Sequence, residues 1–491
     1  MNEYGKSDGP IVPEKVANKT AENAEAESVE GRGSTKGNSS QQNTSRIQSR
    51  SSVPSALERV REAARKDKAT RFTALLHHVY EPEMLRQSYW KLKKEAAAGV
   101  DGETWQHYGE KLEENLQELS HRLQRGAYRA KPVERVYIPK SDGGKRPLGI
   151  TALEDKIVQR AVVEVMNAIY EIDFAEFSYG FRPGRSQHEA LDQLYLGLTR
   201  KKVNWVLEVD IRSYFDRISW RWMIKFLEHR IADRRIVRLI QKWLKAGVLE
   251  KGKRIEVNEG TPQGGSVSPL LANVYLHYVF DLWARQWCRG LASKEVMIIR
   301  YADDIMVGFK EKAVAERFLK ELKERMEKFE LELHPEKTRL LEFGRYASQD
   351  RQQRGEGAPE TFNFLGFTHI CGKTRKGEYT VLRQTIRKRM QAKLKAVGQE
   401  LKRRMHEPLA TVGKWLGNIV RGHCAYYGVP TNGQAIGAFR FLLVRLWRKQ
   451  LSQRSQTGGV KWRRMKRISD RWIPPARIRH PYPIRRSTVL T

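Results

Sequence analysis

Only three cysteines occur in 491 residues, Cys288, Cys371 and Cys424, far apart and in no Cys-x-x-Cys pair. That spacing excludes a disulfide framework and a cysteine-ligated structural zinc, and it points to a reducing compartment. No apolar run reaches about 18 residues, so no membrane span is expected. The start lacks a positively charged segment followed by an apolar one, so no signal peptide is expected. Aromatics are nearly absent from residues 1–54, which are rich in Ser, Asn, Gln, Glu and Gly and hold seven Lys/Arg against seven Asp/Glu. Such a stretch cannot bury enough apolar surface to fold and reads as a disordered extension. Its glutamates exclude an organelle transit peptide. Acids are scarce at the other end, where residues 441–491 carry fourteen Lys/Arg against Asp470 alone.

What is present is charge of one sign. The formal net charge is +34. Because the first 54 residues are balanced, all of it belongs to the remainder. The partner implied is a polyanion, most simply nucleic acid. At 40% hydrophobic the chain can bury a sizeable core, and its length allows about two to four domains.

The most informative stretch is Val296 to Phe309, VMIIRYADDIMVGF. It reads as a buried strand, a tight turn and a second strand. Asp303 and Asp304 stand together at the tip. An Asp-Asp pair on its own is a common surface turn. Two adjacent carboxylates in an apolar hairpin are costly unless something cationic neutralises them, and Mg²⁺ takes oxygen ligands of this kind. A third acid, Asp210, ends the apolar run Asn204–Ile211. Convergence of the three would suit two metals about 3.5–4 Å apart, the arrangement for in-line phosphoryl displacement.

Other segments carry cations and turns. Val136 to Ile150 reads as a hairpin around Asp142-Gly143-Gly144, with Lys140, Lys145 and Arg146 at or beside its tip. These are either a solvated basic turn or a clamp for a triphosphate. Gly260 to Asn273 is a glycine-rich entry to a long helix expected over about 268–289. Its Gln263 either contacts a nucleotide or caps structure. Glu311–Leu331 places Val314, Phe318, Leu322, Met326 and Phe329 at helical spacing, which is core. Lys337 is either a surface lysine or a general acid for a leaving pyrophosphate. Thr385 to Met405 is a basic helix containing Arg387 and Lys388. Near the end, Arg463, Arg464, Lys466 and Arg467 are interleaved with Trp447, Trp462, Trp472 and Tyr482, which suits RNA backbone contact plus base stacking.

The strand ending at Asp210, the Gln263 block and the Tyr-Ala-Asp-Asp hairpin, in this order, resemble the palm of reverse transcriptases. Gly99-Val100-Asp101-Gly102, Phe177 to Ser186 with its Phe-Arg-Pro-Gly-Arg, and Trp415 to Pro430 narrow the resemblance to group II intron reverse transcriptase/maturases, from about Ser55 to Pro483. The resemblance implies an α+β right-hand polymerase fold of helical fingers and palm sheet, followed by an all-α basic thumb/maturase domain. Expected divisions are 1–54 extension, 55–200 N-terminal helices and fingers, 201–375 palm, 376–445 thumb/maturase and 446–491 basic aromatic segment. It implies that Asp210, Asp303 and the Ile211 carbonyl hold two Mg²⁺ (or Mn²⁺), with Asp304 supporting them or the primer end. Phe215 would pack under the nucleotide sugar. Arg182 and Arg185 would touch the template backbone, and Arg421 lies in the maturase-like region. Phe362–Phe367 resembles the block that grips the primer. The implied activity is RNA-directed DNA synthesis from dNTPs, joined to binding and splicing of the intron RNA and its copying into target DNA. Alternatives are a splicing cofactor with a vestigial polymerase, or an intron-independent reverse transcriptase in defence or repair. A bacterial cytoplasmic, partly nucleoid-associated protein is expected. Paired cysteines of an HNH endonuclease domain are absent, so priming from a fork or another nick is the expected homing route.

Overall fold

The computed structural model describes residues 56–139, 144–290, 296–454 and 458–484. The extension expected over 1–54, the helix-capping Ser55 and Lys140 lie outside them. Among the described residues five helices precede the first strand: residues 56–66, Leu76–Tyr80, Pro82–Trp90, Trp105–Glu110 and Leu112–Gln124. Proline and short loops punctuate the helical run. The turn at Gly99 docks on the start of helix Leu153–Asp173, since a Cβ there would sit 2.6 Å from Ala152 Cα.

Eleven strands follow in the described residues. They are β1 (Val133–Pro139), β2 (Lys145–Ile150), β3 (Trp205–Val209), β4 (Val248–Glu250), β5 (Lys253–Ile255), β6 (Met297–Tyr301), β7 (Asp304–Phe309), β8 (Arg339–Glu342), β9 (Phe362–Phe364), β10 (Phe367–Lys373) and β11 (Tyr379–Thr385). The β1–β2 hairpin pairs Pro139 with Lys145 and is extended by β4 and β5 in the order β2-β1-β4-β5. The central sheet is antiparallel with order β6-β7-β3-β8.

The central sheet is covered on both faces, which is why its strands read as continuous apolar runs. Successive side chains alternate between faces. Ile305, Val307 and Phe309 join the core that includes Phe318, Met326 and Phe329 of helix Lys312–Lys328. Met306, with Met297, Ile299 and Val206, joins a second core with Leu191, Leu194 and Leu198 of helix Gln187–Arg200. The helix expected over 268–289 is interrupted. Ser268–Leu276 and Leu282–Arg289 are α-helical, and His277–Asp281 between them forms a π-turn.

The sheet β11-β10-β9 is tied to helix Gln187–Arg200 by a buried ion pair, Arg383 Nη1 to Asp192 Oδ1 at 3.1 Å. Beyond it, helices Arg387–Arg403, Leu409–Tyr427, Gly433–Gln453 and Trp462–Trp472 enclose a third core around Leu416, Val420, Phe439, Leu443 and Met465. Trp447 belongs to that core at 1% exposure, and Trp472 packs against Gly413. Neither is a surface stacking residue, contrary to expectation, because helical periodicity turns both inward. No helix among the described residues is long and apolar enough to cross a membrane.

Truncating one partner of a buried pair strands the other charge. Arg383→Ala is expected to lower unfolding free energy by about 3–5 kcal/mol, read as a fall in the urea midpoint.

Candidate active site

β3 delivers Asp210 to the sheet edge, and Ile211 bridges Leu333 just beyond. The Asp210 carbonyl accepts from His334 N at 2.8 Å, which fixes the strand end. Lys337 Nζ stands 3.5 Å from Asp210 Oδ2. β6 and β7 close on a two-residue turn, Ala302-Asp303, with Tyr301 opposite Asp304. Asp210 and Asp304 line one cavity of about 220 Å³, together with Glu208, Lys337, Arg339 and Phe364.

The turn is strained. Ala302 sits at φ +57, a region that hairpin turns usually reserve for glycine, aspartate or asparagine. A buried network holds it. Arg300 Nε and Nη2 donate to the two oxygens of Asp281 at 2.7 and 2.6 Å, and both side chains are fully buried. Arg300 Nη1 donates to Asn273 Oδ1 at 2.9 Å and to the Ala302 carbonyl at 3.1 Å. Asn273 Nδ2 donates to the Gly180 carbonyl at 2.7 Å. Gly180 lies so close to the turn that a Cβ would sit 2.3 Å from Ala302 N. The π-turn supplies Asp281. Its other resident, His277, is held down to about 3 by burial and by the Arg300 charge, so it stays neutral beside the pair.

The carboxylates raise one another. Asp304 is solvent-exposed and lines the mouth of that cavity. Crowding by protein, then Asp303, then Asp210, pushes it up to about 7. Asp303 is also raised, by burial and by Asp210, while Arg146 and Arg300 pull it back. Arg389, from the basic helix, is the cation that acts on Asp304. An excess of carboxylate charge with oxygen donors fits a divalent cation such as Mg²⁺. Among the described residues no three His, Cys, Asp or Glu side chains gather tightly enough to chelate an ion alone. Water, backbone or substrate oxygens would have to complete its shell.

Arg146 and Gln263 meet, with Arg146 Nε donating to Gln263 Oε1 at 3.0 Å. The Gly149 N–H donates to the Gln263 carbonyl, and Gly264, at φ +124, leaves room for the Gly149 carbonyl where a Cβ would lie 2.3 Å away. Lys145 begins β2 and is exposed. Phe215 is buried, and its carbonyl accepts from Thr261 N at 2.7 Å. So the glycine-rich block binds both the hairpin and the segment after Asp210.

Arg182 corrects an expectation. Its guanidinium is buried and donates to Glu171 Oε2 at 3.0 Å and to the carbonyls of Ala175 and Ser178 at 2.7 Å each. It is a structural strut and no template contact, because its donors are turned onto helix Leu153–Asp173 and its own loop. Arg185 lies over the Tyr179 ring at 5.3 Å. Arg387, Lys388, Arg421, Arg463, Arg464, Lys466 and Arg467 are exposed on the C-terminal helices. Arg300, Asp281, Asn273 and Arg389 were missed. The signal for Arg300 was a lone arginine inside an apolar strand, which demands a buried partner.

A family model described as reverse transcriptase (RNA-dependent DNA polymerase) matches residues 138–369. Protein YkfC of Escherichia coli (strain K12) is 36% identical over 349 residues, covering 64% of this chain and 88% of that protein. Group II intron-encoded protein LtrA of Lactococcus lactis subsp. cremoris is 36% identical over 222 residues, 45% of this chain but 37% of LtrA. An uncharacterized 91 kDa protein in a cob intron of Schizosaccharomyces pombe is 36% identical over 221 residues, 44% of this chain and 27% of its own length. The mixed helix and sheet architecture is thus that of the reverse-transcriptase polymerases. Within them, the chain belongs to the group II intron reverse transcriptase/maturase family.

Two outcomes follow from the buried network and the raised carboxyl. Arg300→Met, which leaves Asp281 buried and unpaired, is expected to cost about 3–5 kcal/mol, and adding Asp281→Leu should recover part of it, measured by urea denaturation. The folded-state pKa of Asp304 exceeds the ordinary carboxylate value, so the native state binds more protons than the unfolded chain. Metal-free stability should therefore fall as pH rises from about 4 through about 7, and Asp304→Asn should flatten that decline in melts taken with a chelator.

Proposed function

We propose that this chain is an RNA-directed DNA polymerase that also binds its group II intron RNA, assists its splicing and copies it into cDNA during retrohoming. The central sheet is the palm, the β1–β2 hairpin belongs to the fingers, and the helices after β11 form the thumb and maturase surface. The observation that carries this reading is the Arg146–Gln263 hydrogen bond, which joins residues 117 positions apart, with Arg146 acting on Asp303.

Asp210, Asp303 and the Ile211 carbonyl would hold the divalent cations, Mg²⁺ or Mn²⁺, with Asp304 behind them; when bound, these ions lower the charge at the attacking and leaving oxygens. Arg146 and Lys145 bind the triphosphate of the dNTP, and Gln263 sets its register. Phe215, locked under the glycine-rich block, closes the space beside the sugar and excludes a 2′-hydroxyl. The bond formed joins the primer 3′-oxygen to the α-phosphorus, and the bond broken frees pyrophosphate. Lys337, at the cavity rim, gives its proton to that leaving group. Arg185 touches the template. Arg387, Lys388, Arg421, Arg463, Arg464, Lys466 and Arg467 track the nucleic-acid backbone through charge.

Primer extension on an RNA template with Mg²⁺ tests the assignment. The parent should extend and Asp303→Ala should lose at least about a thousandfold in rate, while binding and splicing of the flanking intron RNA persist in both. Splicing assistance without any extension by the parent would leave a splicing cofactor and sink the polymerase assignment.

A further inference from the structure

Beyond helix Trp462–Trp472, residues 473–482 run as a strap with neither helix nor strand. Its start is held by Arg440, whose Nε donates to the Pro474 carbonyl at 2.9 Å. At its far end the Arg479 and His480 amides donate to the Gly428 carbonyl at 2.7 and 3.0 Å. Gly428 admits the strap, because a Cβ there would lie 3.0 Å from the Arg477 carbonyl oxygen and 3.1 Å from Arg479 N. Between the two anchors Pro475, Arg477 and Ile478 are exposed. With so little apolar surface buried, individual hydrogen bonds decide whether the strap stays in place.

His480 supplies the side-chain attachment. Its Nε2 donates to the Ala425 carbonyl at 2.7 Å, and its ring lies on that of His188, with centroids 3.9 Å apart and planes 19° apart. His188 is the second residue of helix Gln187–Arg200, and its Nε2 donates to the Tyr426 carbonyl at 2.9 Å. Two stacked imidazoles thus satisfy adjacent carbonyls in the last turn of helix Leu409–Tyr427, where intrahelical donors run out. Both sides of this joint reach the cavity of Asp210 and Asp304. Tyr426 donates its hydroxyl to the Leu365 carbonyl at 2.8 Å. Leu365 and Gly366 form the β9–β10 turn at φ +45 and +84, angles a leucine keeps only where its surroundings impose them. Phe364, just before them, lines the cavity. Gln187, next to His188, hydrogen-bonds the Tyr301 hydroxyl at the opening of the Ala302-Asp303 turn.

We propose that His480 is a positioning residue: through His188 and Tyr426 it clamps the C-terminal helices to the edge of the central sheet, and so retains the nucleic acid from one nucleotide addition to the next. This rests on the polymerase reading above. His480 touches no reacting atom. The turn that carries Asp303 and Asp304 is fixed by Arg300, and Asp210 by the bond from His334, so the chemical step keeps its geometry when the clamp opens. What loosens is the joint between helix Leu409–Tyr427, helix Gln187–Arg200 and the β9–β10 turn. The effect therefore falls on how long the complex lasts.

The test compares His480→Ala with His480→Gln. A glutamine amide nitrogen can stand near the place of Nε2 and donate to the Ala425 carbonyl, which alanine cannot do. With excess unlabelled primer–template as a trap, the alanine variant should add about fivefold fewer nucleotides per binding event, the factor that one net hydrogen bond supplies. The rate of the first addition in the preformed complex should stay unchanged. The glutamine variant should recover most of the loss. Hydrogen exchange at the amides of positions 479 and 480 should quicken with alanine and return toward the parent with glutamine. Equal extension by the parent and the alanine variant would overturn the proposal, as would a glutamine variant as impaired as alanine. A parent that extends no primer, with exchange quickened by alanine and restored by glutamine, would refute the polymerase reading and leave the clamp standing.

Discussion

The candidate site depends on a buried charge pair. Arg300 spends its guanidinium on Asp281, Asn273 and the Ala302 carbonyl, in a place no water reaches. A well-packed apolar cluster of equal volume would serve stability as well or better. It could not hold a carbonyl. The rigid fork of arginine satisfies a bidentate carboxylate and still has a donor for the turn, which the single ammonium of lysine could not do. The pair therefore fixes where Asp303 and Asp304 stand, at a cost in desolvation that only the geometry of the turn explains. The same network reaches Gly180 through Asn273, so the segment before helix Gln187–Arg200 is registered against the turn as well.

Charge is distributed in two opposed ways. The surface is strongly basic and draws a polyanion. The cavity at the sheet edge is acidic, with Glu208, Asp210, Asp304 and Glu336 on its walls. Arg146, Lys337 and Arg389 ring the carboxylates without neutralising them, and the Asp304 carboxyl is pushed up to about 7.

Much of this was legible in the chain. The apolar strands around Asp210 and the Asp pair declared themselves because both faces of their sheet are covered, which makes most positions apolar. The hairpin at Val136–Ile150 followed from its turn residues. What could not be read was partner choice across long separations. The resemblance of the Phe-Arg-Pro-Gly-Arg block implied a template contact for Arg182, yet Glu171 on the preceding helix and two carbonyls of its own loop turn it inward. Trp447 looked available because it lies among arginines, while its helix phase buries it. The π-turn at His277–Asp281 has no local signature, since it arises where Asp281 must meet Arg300. Charge counts cannot show which cations are buried and which stay exposed.

Backbone strain follows the same geography. Among the described residues, three non-glycine residues with left-handed φ cluster around the site: Ser213 after Asp210, Ala302 in the turn and Phe181 against it. Lys251, Glu330, Leu365 and Thr431 adopt similar angles in other connections. At the site the choice is different. Ser213 starts the tight turn that buries Tyr214 and Phe215, whose hydroxyl and carbonyl then bind Ala272 and Thr261. Ala302 bears its strain because Arg300 and Gly180 hold both sides of its peptide. A glycine at any of the three would relax the backbone and also free it to move. Each strained position lies next to a residue whose placement sets the geometry of the carboxylates or their approach. Local strain here is the cost of keeping the sheet edge rigid where a nucleic-acid end would have to be aligned with two aspartates.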